Sequence, residues 1–283
     1  MLSPRGTIII AILSVSTSSI FIRWSEAPPL VLASYRLGIA SLFMILAAWY
    51  TGQLPQLWNM NKRESLSMAL SGFFLFLHFA TWITSLSYTT VATSVIIVNT
   101  SPILVALLSY LFLQETLSLK TCVGIVLSVV GAFLIGLSNP VEENVTGIFL
   151  AFIGAIGLAV YLVLGRNLRR NLDTFAYVSG VYSVSFIFLL LSSLAFRQSF
   201  SGYPAREYIL FFLLALIPSS IGHTLYNYCL KYLKAAVVSV SLLGEPICAT
   251  IMAILFFREI PTLYVIGGGI LVIGGIYLAI KKG

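Results

Sequence analysis

The chain has 283 residues, of which 59% are hydrophobic and only 9% charged, and its mean hydropathy is +1.02. A soluble domain carries roughly 25% charged residues, so this chain cannot cover itself with a hydrated surface, and its repeated apolar runs read as membrane-spanning helices. The 16 Lys+Arg against 9 Asp+Glu are spread along the chain without a basic face that could track phosphates, which excludes nucleic acid as a partner.

In chain order, the apolar runs predict helices at Thr7–Ile22, Pro28–Tyr50, Leu66–Ser87, Val91–Leu113, Leu119–Leu137, Thr146–Gly165, Thr174–Phe196, Glu207–Leu230, Ala235–Phe257 and Thr262–Ile280. The first run has a positive start like a signal peptide, but nine more runs follow, so it is expected to stay as the first helix. Turn chemistry separates the runs at Ser25–Pro29, Gly52–Pro55, Ser138–Pro140, Gly202–Pro204 and Glu259–Pro261. Several of these loops are so short that the flanking helices must be antiparallel neighbours. Cys122, Cys229 and Cys248 fall inside apolar runs without pairing or metal spacing and read as small buried hydrophobes. No separate soluble domain and no long linker is expected.

Orientation follows from Lys and Arg counted by loop. With the N-terminus inside, that side collects 11 cations, Arg5, Lys62, Arg63, Lys120, Arg166, Arg169, Arg170, Lys231, Lys234, Lys281 and Lys282. The other side holds 4, Arg23, Arg197, Arg206 and Arg258. Both termini are therefore expected in the cytoplasm of a multi-pass cell-membrane protein, with the Glu142–Glu143 loop outside. The Asn144–Val145–Thr146 sequon in that loop is read as chance.

The chain repeats itself. Sliding Leu86–Leu134 onto Leu230–Leu278, an offset of 144, needs no gap and matches 13 of 49 positions. The matches include Tyr88/Tyr232, Ala92/Ala236, Pro102/Pro246, Glu115/Glu259, Gly124/Gly268 and Gly131/Gly275. Five helices per half is an odd number, so the second half must enter the membrane upside down. The expected fold class is an all-α polytopic membrane protein, ten transmembrane helices in two inverted five-helix repeats, 1–138 and 139–283. Inverted repeats are a transporter architecture, with the substrate site near the midplane between the halves.

The ten spans, the duplication and the paired patterns SPILVALLSYLFLQE and EPICATIMAILFFRE resemble the drug/metabolite transporter superfamily, specifically its EamA-like branch, over nearly the whole chain. That family carries a Pro about thirteen residues before a Glu in each half, as Pro102–Glu115 and Pro246–Glu259 do, and an Arg in the second helix, matching Arg36. Ser101 stands where the second half has Glu245, so the halves are not equivalent at their centre. The resemblance implies a cavity lined mainly by helices 1, 3, 4, 6, 8 and 9 and alternating access for small metabolites.

Glu245, followed by Pro246, is the one carboxylate in about twenty otherwise uncharged residues. An ionisable group at that depth points to function, here as an anchor for a substrate amine or as a proton-coupling carboxylate. Helical spacing groups the other candidates. Helix 3 offers His78, Trp82 and Ser85; helix 8 offers Ser219, His223, Tyr226 and Asn227; helix 4 offers Ser94 and Ser101, with Asn99 to one side. Helix 1 lines up Ser14, Thr17, Ser18 and Phe21, and helix 6 Gly154, Gly157 and Tyr161. The expected substrate-binding set is Ser18, His78, Trp82, Asn99, Tyr161, His223, Tyr226, Asn227 and Glu245. Serine, threonine and glycine at such positions also serve close helix packing. Arg36 lies roughly 12 Å into its helix at 1.5 Å per residue, and is read as structural or gating, with Glu245 a possible partner. Glu115 and Glu259 read as loop-facing helix-end residues that serve the fold.

The residues point to a secondary transporter of small metabolites, and the resemblance adds export of amino acids or related amphipathic solutes. A facilitative carrier or exchanger of larger solutes such as nucleotide sugars is the alternative, but it would want further cations for phosphates. An intramembrane enzyme would need a nucleophile–base pair, a metal motif or paired carboxylates, and none is present; nor is there a GxxxxGK[ST] loop for ATP. No cofactor or metal is expected. The partners are a small-molecule substrate, the lipid bilayer and a coupling proton, in a monomer or homodimer.

Overall fold

The structure is a computed structural model that describes residues 3–89, 91–136, 144–248 and 262–280. All regular elements among them are helical: α1 (Pro4–Trp24), α2 (Pro29–Tyr50), a single turn at Pro55–Trp58, α3 (Lys62–Ser85), α4 (Val91–Val98), α5 (Ser101–Leu113) and α6 (Leu119–Gly136). The second half continues with α7 (Val145–Leu168), α8 (Thr174–Ala195), α9 (Ala205–Leu214), a π-helical stretch Ala215–His223, α10 (Thr224–Cys229), α11 (Ala235–Leu242) and α12 (Leu263–Ile280). The predicted turns at Ser138–Pro140 and Glu259–Pro261, the side-chain roles of Glu259 and Arg258, and Lys281 and Lys282 lie outside the described residues.

Six described helices are long and apolar enough to cross a membrane: Pro29–Tyr50, Lys62–Ser85, Val145–Leu168, Thr174–Ala195, Ala205–Cys229 and Leu263–Ile280. The other predicted spans correspond to shorter apolar helices. Helix starts follow local chemistry. Asn61 and Glu64 close a reciprocal capping box on α3, which lengthens that helix beyond the predicted Leu66. Asn144 of the sequon accepts from the Thr146 amide and caps α7. Gly52 and Gly202 take φ of 68° and 88° in two predicted turns, a backbone region that favours glycine.

The sequence predicts one continuous helix over Val91–Leu113 and another over Ala235–Phe257. Both expectations are corrected by the structure. The first breaks at Asn99–Thr100, between α4 and α5; the second breaks at Leu243–Gly244 and resumes at 245. Proline is the cause in each half: it has no amide hydrogen, and its ring collides with the carbonyl four residues earlier. Four residues before Pro102 and Pro246 are Val98 and Leu242, the last residues of α4 and α11. The two breaks therefore fall 144 residues apart, in the register of the repeat.

The most extensive packing joins the two halves: α6 on α12, α3 on α7, α2 on α8, and α1 on the Ala205–Cys229 helix. On α6 and α12 the contact is backbone on backbone. A Cβ added at Gly124 would lie 2.5 Å from the Gly275 carbonyl oxygen, and one at Gly131 would lie 2.5 Å from that of Gly268. Indices rise on one helix as they fall on the other, so the helices cross antiparallel. At the crossing Ser128 reaches the Val272 carbonyl at 3.4 Å, its own counterpart at the repeat offset. Helices α2 and α8 are tied by serine pairs, Ser34–Ser193 at 3.2 Å and Ser41–Ser183 at 2.7 Å. Asp173, just before α8, accepts from Gln56 Nε2 at 2.9 Å and pairs with Lys231 at 3.0 Å.

Candidate functional site

A cavity opens beside the two helix breaks. Its walls come from Val15 and Ser18 of α1, Arg36 of α2, His78 and Trp82 of α3, Val95, Val98 and Asn99 at the first break, Leu158 of α7, His223, and Leu242 and Glu245 at the second break. The space open to the centre of a water molecule is about 40 Å³, room for a few waters but not for a metabolite. Seven sequence candidates meet here, Ser18, Arg36, His78, Trp82, Asn99, His223 and Glu245. The wall as a whole is drawn from the helices expected from the resemblance, with helix 2 added.

Arg36 is completely buried, and its surroundings hold it in one place. Its Nε donates to Ser219 Oγ at 2.7 Å and its Nη1 to Ser18 Oγ at 2.9 Å. The guanidinium carbon stands 4.4 Å above the centre of the Phe79 ring, a cation–π contact that is strongest away from water. No ion pair joins Arg36 to Glu245 among the described residues. The aromatic side chains continue around the wall: His78 stacks on Trp82 with centroids 5.6 Å apart, and Phe79 meets His78 at 5.1 Å and His223 at 5.7 Å. His78 Nδ1 lies 2.9 Å from the Gly154 carbonyl. A carbonyl only accepts, so Nδ1 carries a proton, and in the neutral ring Nε2 is left as an acceptor.

The polar face of the eighth apolar run depends on its π-helical stretch. Pro218 cannot donate to the Leu214 carbonyl four residues earlier. Ser219 Oγ donates to that carbonyl instead, at 3.0 Å, while accepting from Arg36. The Ser219 carbonyl accepts from Tyr182 Oη at 3.1 Å. The wider turn is thus satisfied by side chains, and it sets Ser219 and His223 toward the interior.

A family model described as the EamA-like transporter family matches residues 6–137 and 145–281. The chain belongs to the EamA-like transporter family. An uncharacterized transporter of Archaeoglobus fulgidus is 28% identical over 274 residues, covering 94% of this chain and 93% of its own. The uncharacterized transporter YdfC of Bacillus subtilis is 26% identical over 260 residues, covering 89% and 82%. A solved crystal structure superposes with a TM-score of 0.82 over 98% of this chain and 96% of the other, at 18% identity; at that identity it speaks to the fold alone.

In this EamA-like transporter, three sequence candidates lie off the cavity wall. Tyr161 Oη donates to Asn227 Oδ1 at 2.8 Å, and Asn227 Nδ2 donates to the His223 carbonyl at 2.8 Å. This buried bridge ties α7 to α10. Tyr226 is buried beside His223, with centroids 6.4 Å apart. Gly154 and Gly157 are also off the wall: a Cβ at Gly157 would lie 2.9 Å from the His78 amide nitrogen, so they let α7 pack closely on α3.

Two charged residues correct the sequence reading. Glu115 is buried, not loop-facing: Arg166 Nε reaches its Oε1 at 2.8 Å and Arg170 lies at 3.8 Å. Arg166 Nη1 also donates to the Leu230 and Lys231 carbonyls, at 2.6 and 3.0 Å, so one side chain clasps both halves at one end of the bundle. Arg169, read as a loop cation, is buried and donates to the Asn227 carbonyl at 3.0 Å and to Thr174 at 2.6 Å. Sequence reasoning also missed Phe79 and the apolar wall residues. Phe79 sits next to His78 in an apolar run, and only its place under Arg36 distinguishes it.

Proposed function

We propose that this EamA-like transporter is a secondary carrier of small amphipathic metabolites, with amino acids or related solutes as cargo, exported by alternating access. The observation that carries this reading is the cavity at the paired helix breaks. There Glu245, Arg36, two histidines and the donors Trp82 and Asn99 share one apolar-walled space. Broken helices near the membrane midplane are where carriers build substrate sites, because unwound backbone is tolerated only where it lines a cavity.

The moving parts are two inverted five-helix halves, 1–138 and 139–283, ten spans in all. Support comes from the helix breaks repeating at an offset of 144 and from the antiparallel glycine contacts of Gly124 with Gly275 and Gly131 with Gly268. A two-fold axis that exchanges equivalent helices crossing antiparallel turns one half upside down relative to the other. The loop cations favour a cell membrane with both termini cytoplasmic, and the Arg166 clasp then closes the cytoplasmic end. Arg36 is the one Lys or Arg on the described cavity wall, which disfavours nucleotide sugars with their diphosphates.

The test is uptake of a labelled panel of amino acids, nucleosides and cationic drugs into proteoliposomes, with and without a pH gradient, for wild type beside Glu245→Gln. Saturable, gradient-sensitive uptake that the variant loses is the expected result. Uptake equal in both and indifferent to the gradient would remove Glu245 from coupling and leave a facilitator.

A further inference from the structure

We propose that Arg36 is the anion receptor of the cavity, holding the carboxylate of a zwitterionic substrate whose ammonium is held by Glu245. The inference rests on the carrier reading above and assigns the two poles of its site.

Arg36 is 0% exposed, Trp82 7% and Asn99 9%, and all three line the cavity. Each has a buried donor nitrogen without a partner among the described residues: Arg36 Nη2, Trp82 Nε1 and Asn99 Nδ2. A buried donor left unmade costs about 1–3 kcal/mol, more for a charged group. Three of them stand around one space, whereas a structural arginine directs its whole fork at protein acceptors. What they jointly lack is an acceptor, and a carboxylate brings two oxygens with about four lone-pair positions.

Ser18, Ser219 and the Phe79 ring already fix the guanidinium plane. The unpaired Nη2 is therefore held in one place, and little entropy is lost if it binds an acceptor. Glu245, on the wall at the other break, makes no hydrogen bond or ion pair among the described residues. Its charge acts on Arg36 across the cavity without a direct contact. A purely cationic ligand would satisfy Glu245 and leave three donors idle; a purely anionic one would leave a carboxylate buried and uncompensated. A zwitterion meets both. The walls between the poles are Val15, Val95, Val98, Leu158 and Leu242, which suits an apolar side chain.

The experiment uses the full chain in proteoliposomes. Each L-amino acid that is taken up is retested as its amide, which lacks the anion, and as its deaminated acid, which lacks the cation. Either change is expected to lower uptake at least tenfold. Trp82→Phe and Asn99→Leu each remove one idle donor while keeping bulk, and each is expected to raise KM for the free amino acid several-fold and that for the amide distinctly less. Arg36→Lys, which keeps the charge but loses the fork, is expected to do the same more strongly. Amide carried as well as the acid, or variants that raise both KM values alike, would overturn the inference while leaving the carrier reading intact, as would uptake of amines alone. No uptake of any panel member would overturn both.

Discussion

The seam between α6 and α12 and the cavity beside the helix breaks are built from the same repeat, yet the repeat has been kept in one and abandoned in the other. At the seam, counterparts keep identity and geometry: Gly124 and Gly268, Gly131 and Gly275, each against a backbone oxygen or a close neighbour of the opposite helix. At the cavity the backbone breaks remain in register, but Ser101 faces Glu245 across the offset, and Asn99 faces Leu243. Packing between two halves needs matching surfaces, and matching surfaces are what duplication supplies. The proposed recognition of a zwitterion would need two different poles, which an exact repeat of the chemistry would not supply.

The strongest way to break this comparison is to place bulk on the seam. Gly131→Leu would drive a side chain into the Gly268 carbonyl, whereas Gly267 and Gly269 on the same helix have nothing within 4 Å of an added Cβ. Overpacking of this kind costs roughly 1–3 kcal/mol or more. Thermal unfolding in detergent should show a large loss for Gly131→Leu and almost none for Gly267→Leu; equal losses would mean that the seam is not a close contact. Next in size is Arg166→Gln, which leaves the buried Glu115 with only the more distant Arg170, at 3.8 Å. A loss of about 2 kcal/mol is expected from removing charge-assisted hydrogen bonds, and adding Glu115→Gln should recover part of it. Recovery of nothing would show that the Arg166 bonds to the Leu230 and Lys231 carbonyls carry the clasp.

Glu245→Ser sharpens the comparison from the other side, because it gives both breaks the same residue. Unfolding should stay within about 1 kcal/mol of wild type, as for substitutions that break no partner, while transport is lost. A collapse in stability would assign Glu245 to the scaffold. The smallest effect concerns Asp173, outside the spans. Its carboxyl is held below its ordinary value first by the Gln56 amide and then by Lys231. A lowered folded value adds stability that is complete above the ordinary aspartate range and fades as pH falls through the lowered one. Wild type should therefore lose stability below about pH 4, where Asp173→Asn shows no matching slope. The group is half exposed, so the difference should stay under about 1 kcal/mol.

Much of this was legible in the sequence because the informative residues are rare in apolar runs. Glu245, Arg36, His78 and His223 stand out by type alone, and the offset of 144 was carried by a few Pro, Gly, Glu and Tyr matches. The helix breaks are signalled only by Pro102 and Pro246, since an apolar run by itself does not show where its helix is interrupted. Face-sharing could not separate Gly154 and Gly157, which pack on α3, from residues that line the cavity, since both roles ask for the same face of α7. Arg36's partners come from α1, α3 and the π-helical stretch, and no spacing along one chain segment relates Ser18, Phe79 and Ser219. Arg169 and Glu115 were misplaced for a similar reason: their partners lie on other helices, so proximity to a loop in sequence said little about burial.

The π-helical stretch Ala215–His223 has a mechanical consequence. It holds one residue more per hydrogen-bonded turn than the α-helices on either side, so the run carries a spare residue between Pro218 and α10. If a turn there reverted to α geometry, everything beyond it would rotate by about 100° and slide about 1.5 Å. The π-helical register is thus what brings His223 to the cavity wall and Asn227 to Tyr161 together.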